Sequence, residues 1–432
     1  MNRFVPWLLV GLASTVLMLH GAGWIAAAVV FWQSATLHVP RVQSAIAIGL
    51  ALVVLRAASA PRRSRRRVVL CVLVVAAVAF VAVPLPQRFE GHDLMVDGGQ
   101  TASSRAEFEM HFGPRGVNFH SHLGDVLMRT LHVAFGRSDA SPALAYDALS
   151  RLAGLLFLLE LGVAAAWHRW SRQSCRYVGL VVATPLCLLF FGYRELGYLS
   201  MAAGVVPLLA LGRSRSRVEA DASTLVAGFL QGVHTAIHGF GILGLAGGAL
   251  AAVSGRGDAI RRLMRVATFT SAAVALYVGW VFLYFVVAGL SVVWTRQLGY
   301  RPVFESIVFD DRVAYPLLSL AGLGEFGAFS ALSGVPLLAL AVVSSRLAAL
   351  VPAILYALPG LIFLIRWWPV AAPYNLDLLL SAFPGVFGAC WVVSSSDRKS
   401  MTALLVLAVM HLLLWTTVGS GVFVRVWVEG AP

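Results

Sequence analysis

Charged residues are scarce in this chain of 432 residues, at 12% of the sequence, and acidic residues are the scarcer class, with 20 Asp and Glu against 33 Lys and Arg. Hydrophobic residues make up 59%, and the mean hydropathy is +0.82. These values exclude an ordinary soluble domain and are typical of proteins that cross a membrane many times. The net charge of +13 does not indicate nucleic acid, because the basic residues are scattered between apolar runs.

Cysteine is also rare, and the chain has no CxxC pair. Each cysteine lies in or beside an apolar segment, where a free thiol packs as a small hydrophobe. The first apolar run continues to about Phe31 without a convincing small-residue cleavage site, so we expect an uncleaved span. No internal repeat and no low-complexity segment is found. The four cysteines are Cys71, Cys175, Cys187 and Cys390.

Apolar runs of membrane-spanning length recur along the whole sequence. A span needs roughly 20 mostly apolar residues, and by that measure the sequence predicts an all-α, polytopic transmembrane helical bundle of about 11–13 spans. The segments 223–237 and 238–254 are short enough to form a helical hairpin instead. The predicted spans are 6–31, 42–57, 67–85, 149–167, 176–192, 196–211, 223–237, 238–254, 264–290, 329–345, 347–365, 375–394 and 401–424.

The charges divide unequally between the two sides of such a bundle. If the N-terminus is cytoplasmic and the sides alternate, the short inner loops collect 20 of the 33 basic residues and only four acids. The outer loops hold 13 basic residues and 15 acids. Basic inner loops are what membrane insertion favours. The insertion rule does not explain why most of the acids lie on the outer loops, whereas a reaction site there would explain it.

The first long outer loop, 86–148, is the main polar stretch, and the second is 291–328. Leu123, Val126 and Leu127 begin a 3.6-residue period, so the first loop is expected to be largely helical and to carry the site. The turn at 113–116 precedes its two histidine positions. Its titratable residues include Glu90, His92, Asp93, Asp97, Glu107, Glu109, His111, His120, His122 and Asp125.

Glu90 and Asp93 directly follow a predicted span, which places them at the boundary of water and lipid. A carboxylate there could accept a proton from an attacking hydroxyl, or hold a divalent metal such as Mg²⁺ or Mn²⁺ against a phosphate. Solvated loop acids without a role remain the alternative, and no metal or cofactor is certain. His120 and His122 are spaced as in an extended turn, so one could face a substrate.

Two further outer turns carry charge that could bind a phosphate-bearing substrate. Arg194 would grip the phosphate while Glu195 orients a hydroxyl, although this pair could equally be a self-neutralising cap. Arg366, next to two Trp residues, is either a second phosphate ligand or part of an interfacial aromatic belt. His234 and His238 share a helical face by their spacing, but residue 235 is Thr, so the HExxH zinc motif is absent.

Four motifs follow one another along the chain: the turn 118–123 (NFHSHL) behind the loop acids, the span opening 193–196 (YREL), the Gly-rich hairpin 227–240 and the segment 373–378 (PYNLDL). Together they resemble the GT-C superfamily of integral membrane glycosyltransferases. The resemblance covers about residues 67–394. The chain departs from the family pattern in having two spans ahead of this region, and Glu90 and Asp93 in place of an Asp-Asp pair.

The resemblance implies inverting transfer of a sugar from a polyprenyl-phosphate donor, on the outer face of a bacterial inner membrane. Asp93, or Glu90, would be the general base. The acceptor would be a lipid, a glycan or a protein, and no nucleic acid is involved. The domains expected are 1–66, two spans with a basic loop; 67–394, the GT-C-like core; and 395–432, the last span. Substrate-binding residues would be His120, His122, Arg194, Glu195, His238, Arg366 and Asp377.

Two other functions are compatible with the same composition. A polytopic transporter or lipid flippase commonly shows internal repeats and ionisable residues within its spans. Here Glu160 is the one acid expected inside a span, which favours the enzyme. A non-catalytic partner in a cell-envelope complex is the third candidate.

Overall fold

A computed structural model describes residues 38–82, 88–89, 92–93, 142–184, 203–211, 217–237, 241–254, 257–288, 337, 340–341, 351–352, 354–360, 362 and 383–419. Over these residues the secondary structure is helical apart from one ribbon of two short strands. The expected all-α class is thereby confirmed for the described part of the chain. The membrane-crossing bundle and the domain bounds remain predictions.

The helices coincide with the apolar runs, and several begin before the run does. The strands are β1 (Arg88–Phe89) and β2 (His92–Asp93), which pair antiparallel. The helices are α1 (His38–Ala57), α2 (Arg62–Ala82), α3 (Pro142–Trp167), α4 (Arg172–Val182), α5 (Val205–Leu211), α6 (Arg217–Ile237), α7 (Gly241–Val253), α8 (Ala259–Ala288), α9 (Phe383–Val393) and α10 (Asp397–Gly419).

One described helix, α8, contains a stretch long and apolar enough to cross a membrane by itself, at Ala259–Trp280. Shorter apolar stretches lie in α1, α3 and α7. Large hydrophobic side chains are exposed on these helices and on α2. For example, Val78 is 63% exposed, Leu159 62% and Phe282 70%. Apolar side chains this exposed on several helices form the kind of surface that lipid or a partner covers.

Helix α4 lies at the centre of the first group of helices. It is buried from Ser174 to Val182 and packs against α1, α3, α9 and α10. Its N-terminus is capped by Ser171, whose hydroxyl oxygen accepts a hydrogen bond from the Ser174 amide at 3.1 Å. Other helices therefore surround α4 along this length, and its polar side chains must find their partners within the bundle.

Three turns meet at one end of this group. Arg65 Nε donates to the Trp170 carbonyl at 2.9 Å, which links the start of α2 to the α3–α4 turn. Gln173 Nε2 donates to the Trp391 carbonyl at 3.1 Å, and the buried Arg176 pairs with Asp397. These contacts join the α3–α4 turn to the α9–α10 turn. All three turns were predicted to lie on the basic, inner side.

A separate polar junction joins the opposite ends of α1, α4 and α10. One ring nitrogen of His411 lies 2.8 Å from Ser44 Oγ, and the other lies 2.8 Å from the Ala183 carbonyl oxygen. Ala183 follows the end of α4, and Ser44 is in the second turn of α1. The two junctions therefore fix the alignment of the helices along their length.

A second group of helices consists of α6, α7 and α8, and α5 contacts both groups. Glycines allow α6 and α8 to approach closely. A Cβ at Gly228 would lie 2.5 Å from the Phe269 carbonyl oxygen, and one at Gly232 would lie 2.7 Å from that of Ala273. This Gly-xxx-Gly pair fits the packing of small residues at helix interfaces in membranes. Helices α6 and α7 also contact each other, with three residues between them, as the predicted hairpin requires.

Candidate functional site

The predicted catalytic acid Asp93 lies in the strand pair that follows α2. In the antiparallel register, Asp93 is the backbone partner of Arg88, and His92 is the partner of Phe89. The chain therefore reverses between Phe89 and His92, within two residues. This short ribbon was not predicted from the sequence.

The strand pairing limits how far Asp93 can lie from the end of α2. The eleven residue steps from Ala82 to Asp93 could span roughly 40 Å if the chain were fully extended. Because Asp93 is paired with Arg88, the limit is set by the chain from Ala82 to Arg88 instead. Its six residue steps span at most about 20 Å. The pairing adds about 5 Å more. Asp93 therefore lies within about 25 Å of the helix end, against roughly 40 Å for a fully extended chain.

The remaining predicted site residues lie outside the described residues, so their roles stay predictions. They are the second candidate base and all of the proposed substrate ligands: Glu90, His120, His122, Arg194, Glu195, His238, Arg366 and Asp377. Among the described residues, no group of three or more His, Cys, Asp or Glu is placed to hold a metal ion.

A pair of ionisable residues is buried between the two helix groups. Glu160 of α3 is 8% exposed and His234 of α6 is 5% exposed. His234 Nε2 contacts Glu160 Oε1 directly. In the described part of the chain the other carboxylate oxygen, Oε2, makes no hydrogen bond although it is buried. The contact joins α3 to α6 within the described part of the chain.

Three buried polar side chains accompany this pair, two from other elements and one, Gln231, from α6 itself. Tyr177 of α4 and Tyr356 in the helical segment 354–360 both interact electrostatically with Glu160. The Tyr177 hydroxyl donates to the Ala203 carbonyl, and the Tyr356 hydroxyl donates to Gln231 Oε1 at 2.9 Å. Gln231 Nε2 in turn donates to the Gly241 carbonyl at 2.8 Å, which secures the α6–α7 turn.

Sequence reasoning identified both members of this pair but did not join them. It placed Glu160 within a span and His234 in a helical pair with His238. The two partners are 74 residues apart in sequence, on helices whose packing no periodicity specifies. The available signal was the isolated acid itself, because a carboxylate in an apolar helix requires a partner.

Comparison with known proteins assigns no family. No family model matches the chain, and no curated protein matches it. A solved structure with weak similarity is the Archaeoglobus fulgidus oligosaccharyltransferase, tethered through a disulfide bond to an acceptor peptide with the NVT sequon. The TM-score is 0.43 with 13% sequence identity, over 82% of this chain and 55% of that one. The chain thus spans about half the length of that protein.

Proposed function

We propose that the protein is a membrane glycosyltransferase of GT-C type, which moves a sugar from a polyprenyl-phosphate donor to a lipid, glycan or protein acceptor. What supports the membrane location is the apolar composition together with the exposed apolar faces of the described helices. What supports the reaction is the group of acids after α2 and the four GT-C-like motifs. The single observation that supports the site is the strand pairing, which limits Asp93 to within about 25 Å of the end of α2.

The proposed chemistry is a single displacement. Asp93 takes the proton of the acceptor hydroxyl as its oxygen attacks the anomeric carbon. The bond between that carbon and the phosphate oxygen breaks, so the configuration inverts and polyprenyl phosphate leaves. Arg194 and Arg366 are proposed to balance the charge on the phosphate, since guanidinium groups bind phosphate oxygens in a bidentate manner. Glu90 is the second candidate for the base.

The test is turnover of a lipid-linked sugar by purified Asp93→Asn and Glu90→Gln variants. A general base contributes about 10²–10⁴-fold to a rate, so we expect Asp93→Asn to lose that much while donor binding and expression are retained. Glu90→Gln should do the same only if the two acids share a proton or a metal.

Asp258→Asn is the matched control for these variants. Asp258 is exposed and accepts a hydrogen bond from the Arg261 amide at 2.8 Å, a capping role that Asn also fills. Its turnover should equal that of the unmodified protein. Normal turnover in both Asp93→Asn and Glu90→Gln would exclude this loop as the catalytic site.

A second candidate function is transport, and the buried Glu160–His234 pair favours it. Ionisable pairs inside helical bundles are common in proton-coupled transporters. Flux of a lipid or solute across vesicles that is lost in Glu160→Gln but retained in Asp93→Asn would support a transporter instead of an enzyme.

A further inference from the structure

The Glu160–His234 pair has a feature that a purely structural ion pair lacks. In a stable buried pair, the remaining lone pairs of the carboxylate are satisfied by further donors, since removing two charges from water costs several kcal/mol per ion. Here Oε1 contacts His234, while Oε2 is buried without a hydrogen bond in the described part of the chain. The Oε2 oxygen is therefore buried with its lone pairs unsatisfied.

Among the described residues, no side chain donates a hydrogen bond to that oxygen. The hydroxyl protons of Tyr177 and Tyr356 are donated to Ala203 and Gln231. Helices α5 and α7, which contact α3 and α6 respectively, contain no ionisable residue. The guanidinium of Arg176 is paired with Asp397. The other ionisable residues with described side chains on the packed elements are Arg62, Arg63, Arg65, Arg66, Arg67 and Cys71 of α2, Arg151 of α3, Arg172 and Cys175 of α4, Asp221 of α6, and Arg261, Arg262, Arg265 and Tyr277 of α8.

The position of the pair along α3 is also defined. Glu160 lies seven residues before the end of α3 at Trp167, which is about 10 Å along the helix axis. The turn that follows meets the basic ends of α2 and α4. Gly204 packs directly on this turn of α3, where a Cβ would lie 3.5 Å from the Glu160 carbonyl oxygen.

We propose that Glu160 and His234 form a proton-binding site inside the bundle, with Glu160 Oε2 as the atom that receives the proton. The step adds a proton from water to the carboxylate, which gives the neutral carboxylic acid. No hydrogen bond has to break at Oε2 for this to occur. Once Glu160 is neutral, its attraction to a protonated His234 is lost, and the polar link between α3 and α6 weakens. Proton uptake therefore regulates the packing of the two helix groups.

Infrared difference spectroscopy on the full-length protein in lipid nanodiscs tests this directly. As the pH is lowered, we expect the C=O stretch of a protonated, buried carboxyl group to appear. That band should be lost in Glu160→Gln and retained in Asp258→Asn, which removes an exposed carboxylate.

The proposal is overturned if no Glu160-dependent carboxyl band appears at any pH at which circular dichroism shows a folded helical protein. If Glu160→Gln does not fold, Glu160→Asp takes its place. Its shorter side chain should shift the carboxyl band. An unshifted band would assign the signal to another acid. The measurement needs no sugar donor. Its outcome is therefore independent of glycosyl transfer, which the Asp93→Asn assay tests.

Discussion

The close contact between α6 and α8 makes a quantitative prediction about Gly232. A Cβ at this position would lie 2.7 Å from the Ala273 carbonyl oxygen, 3.0 Å from Ala273 Cα and 3.1 Å from Leu276 Cβ. Two of these three atoms belong to the backbone, so no side-chain rotation relieves the clash. The helices must separate or shift, and overpacking of this kind costs about 1–3 kcal/mol. Against this, Ala in place of Gly favours the helix by about 1 kcal/mol.

The predicted net effect of Gly232→Ala is therefore a loss of about 0–2 kcal/mol, from the difference of those two terms. The control is Gly279→Ala on α8, where a Cβ would meet nothing within 4 Å. That variant should be unchanged or stabilised by up to about 1 kcal/mol. The assay is denaturant-induced unfolding of the purified protein in one detergent, followed by circular dichroism.

Gly228→Ala provides a second, sharper comparison on the same helix face. Its Cβ would meet the Phe269 carbonyl oxygen at 2.5 Å and Ala272 Cβ at 2.9 Å. Adding Ala272→Gly removes the second contact but leaves the first, so rescue should be partial. The packing argument would be refuted if Gly228→Ala and Gly232→Ala were both as stable as Gly279→Ala.

Two further predictions concern the proposed outer face. Cysteine introduced at Ser103 or Ser121 should react with an impermeant thiol reagent in intact cells. As a control, cysteine at the exposed Ser395 in the α9–α10 turn should react only after lysis. These variants are made in a Cys71→Ser background, because native Cys71 is exposed. The reverse pattern would invert the topology and remove the site. Donor binding should be weakened by Arg194→Ala and by Arg366→Ala. Lys at either position should restore it only in part, because Lys cannot make a bidentate phosphate contact. Unchanged donor affinity in both Ala variants would make these residues interface anchors.

The sequence predicted where helices lie better than where they begin. Helix α3 begins at Pro142, seven residues before the predicted span at 149, and α6 begins at Arg217, six residues before 223. The early residues of α6 include Glu219 and Asp221, which a hydropathy criterion rejects although they are helical. Hydropathy indicates where an apolar run begins, whereas the helix begins where backbone hydrogen bonds can form.

The candidate site was less predictable than the fold, for two physical reasons. The β1–β2 pairing involves two strands of two residues each, and a strand signal that short cannot be recognised from sequence. The Glu160–His234 contact depends on how α3 and α6 pack, which is decided by close approaches such as that of Gly204 to Leu230 and to the α3 backbone. Single-sequence periodicity describes which face of a helix is apolar and does not specify its neighbour.

The arrangement of the turns strengthens the charge argument for the site. Counting charges predicted that the α1–α2, α3–α4 and α9–α10 turns share one side, and the hydrogen bonds from Arg65 to Trp170 and from Gln173 to Trp391 join these three turns. Helix α2 begins at that junction and α3 ends there, so their other ends, Ala82 and Pro142, point to the opposite side. The acidic segment between them therefore connects helix ends that are remote from the basic turns. Because basic turns are retained in the cytoplasm, the expected position of Asp93 is the outer membrane surface, where a lipid-linked sugar and its acceptor can both reach it.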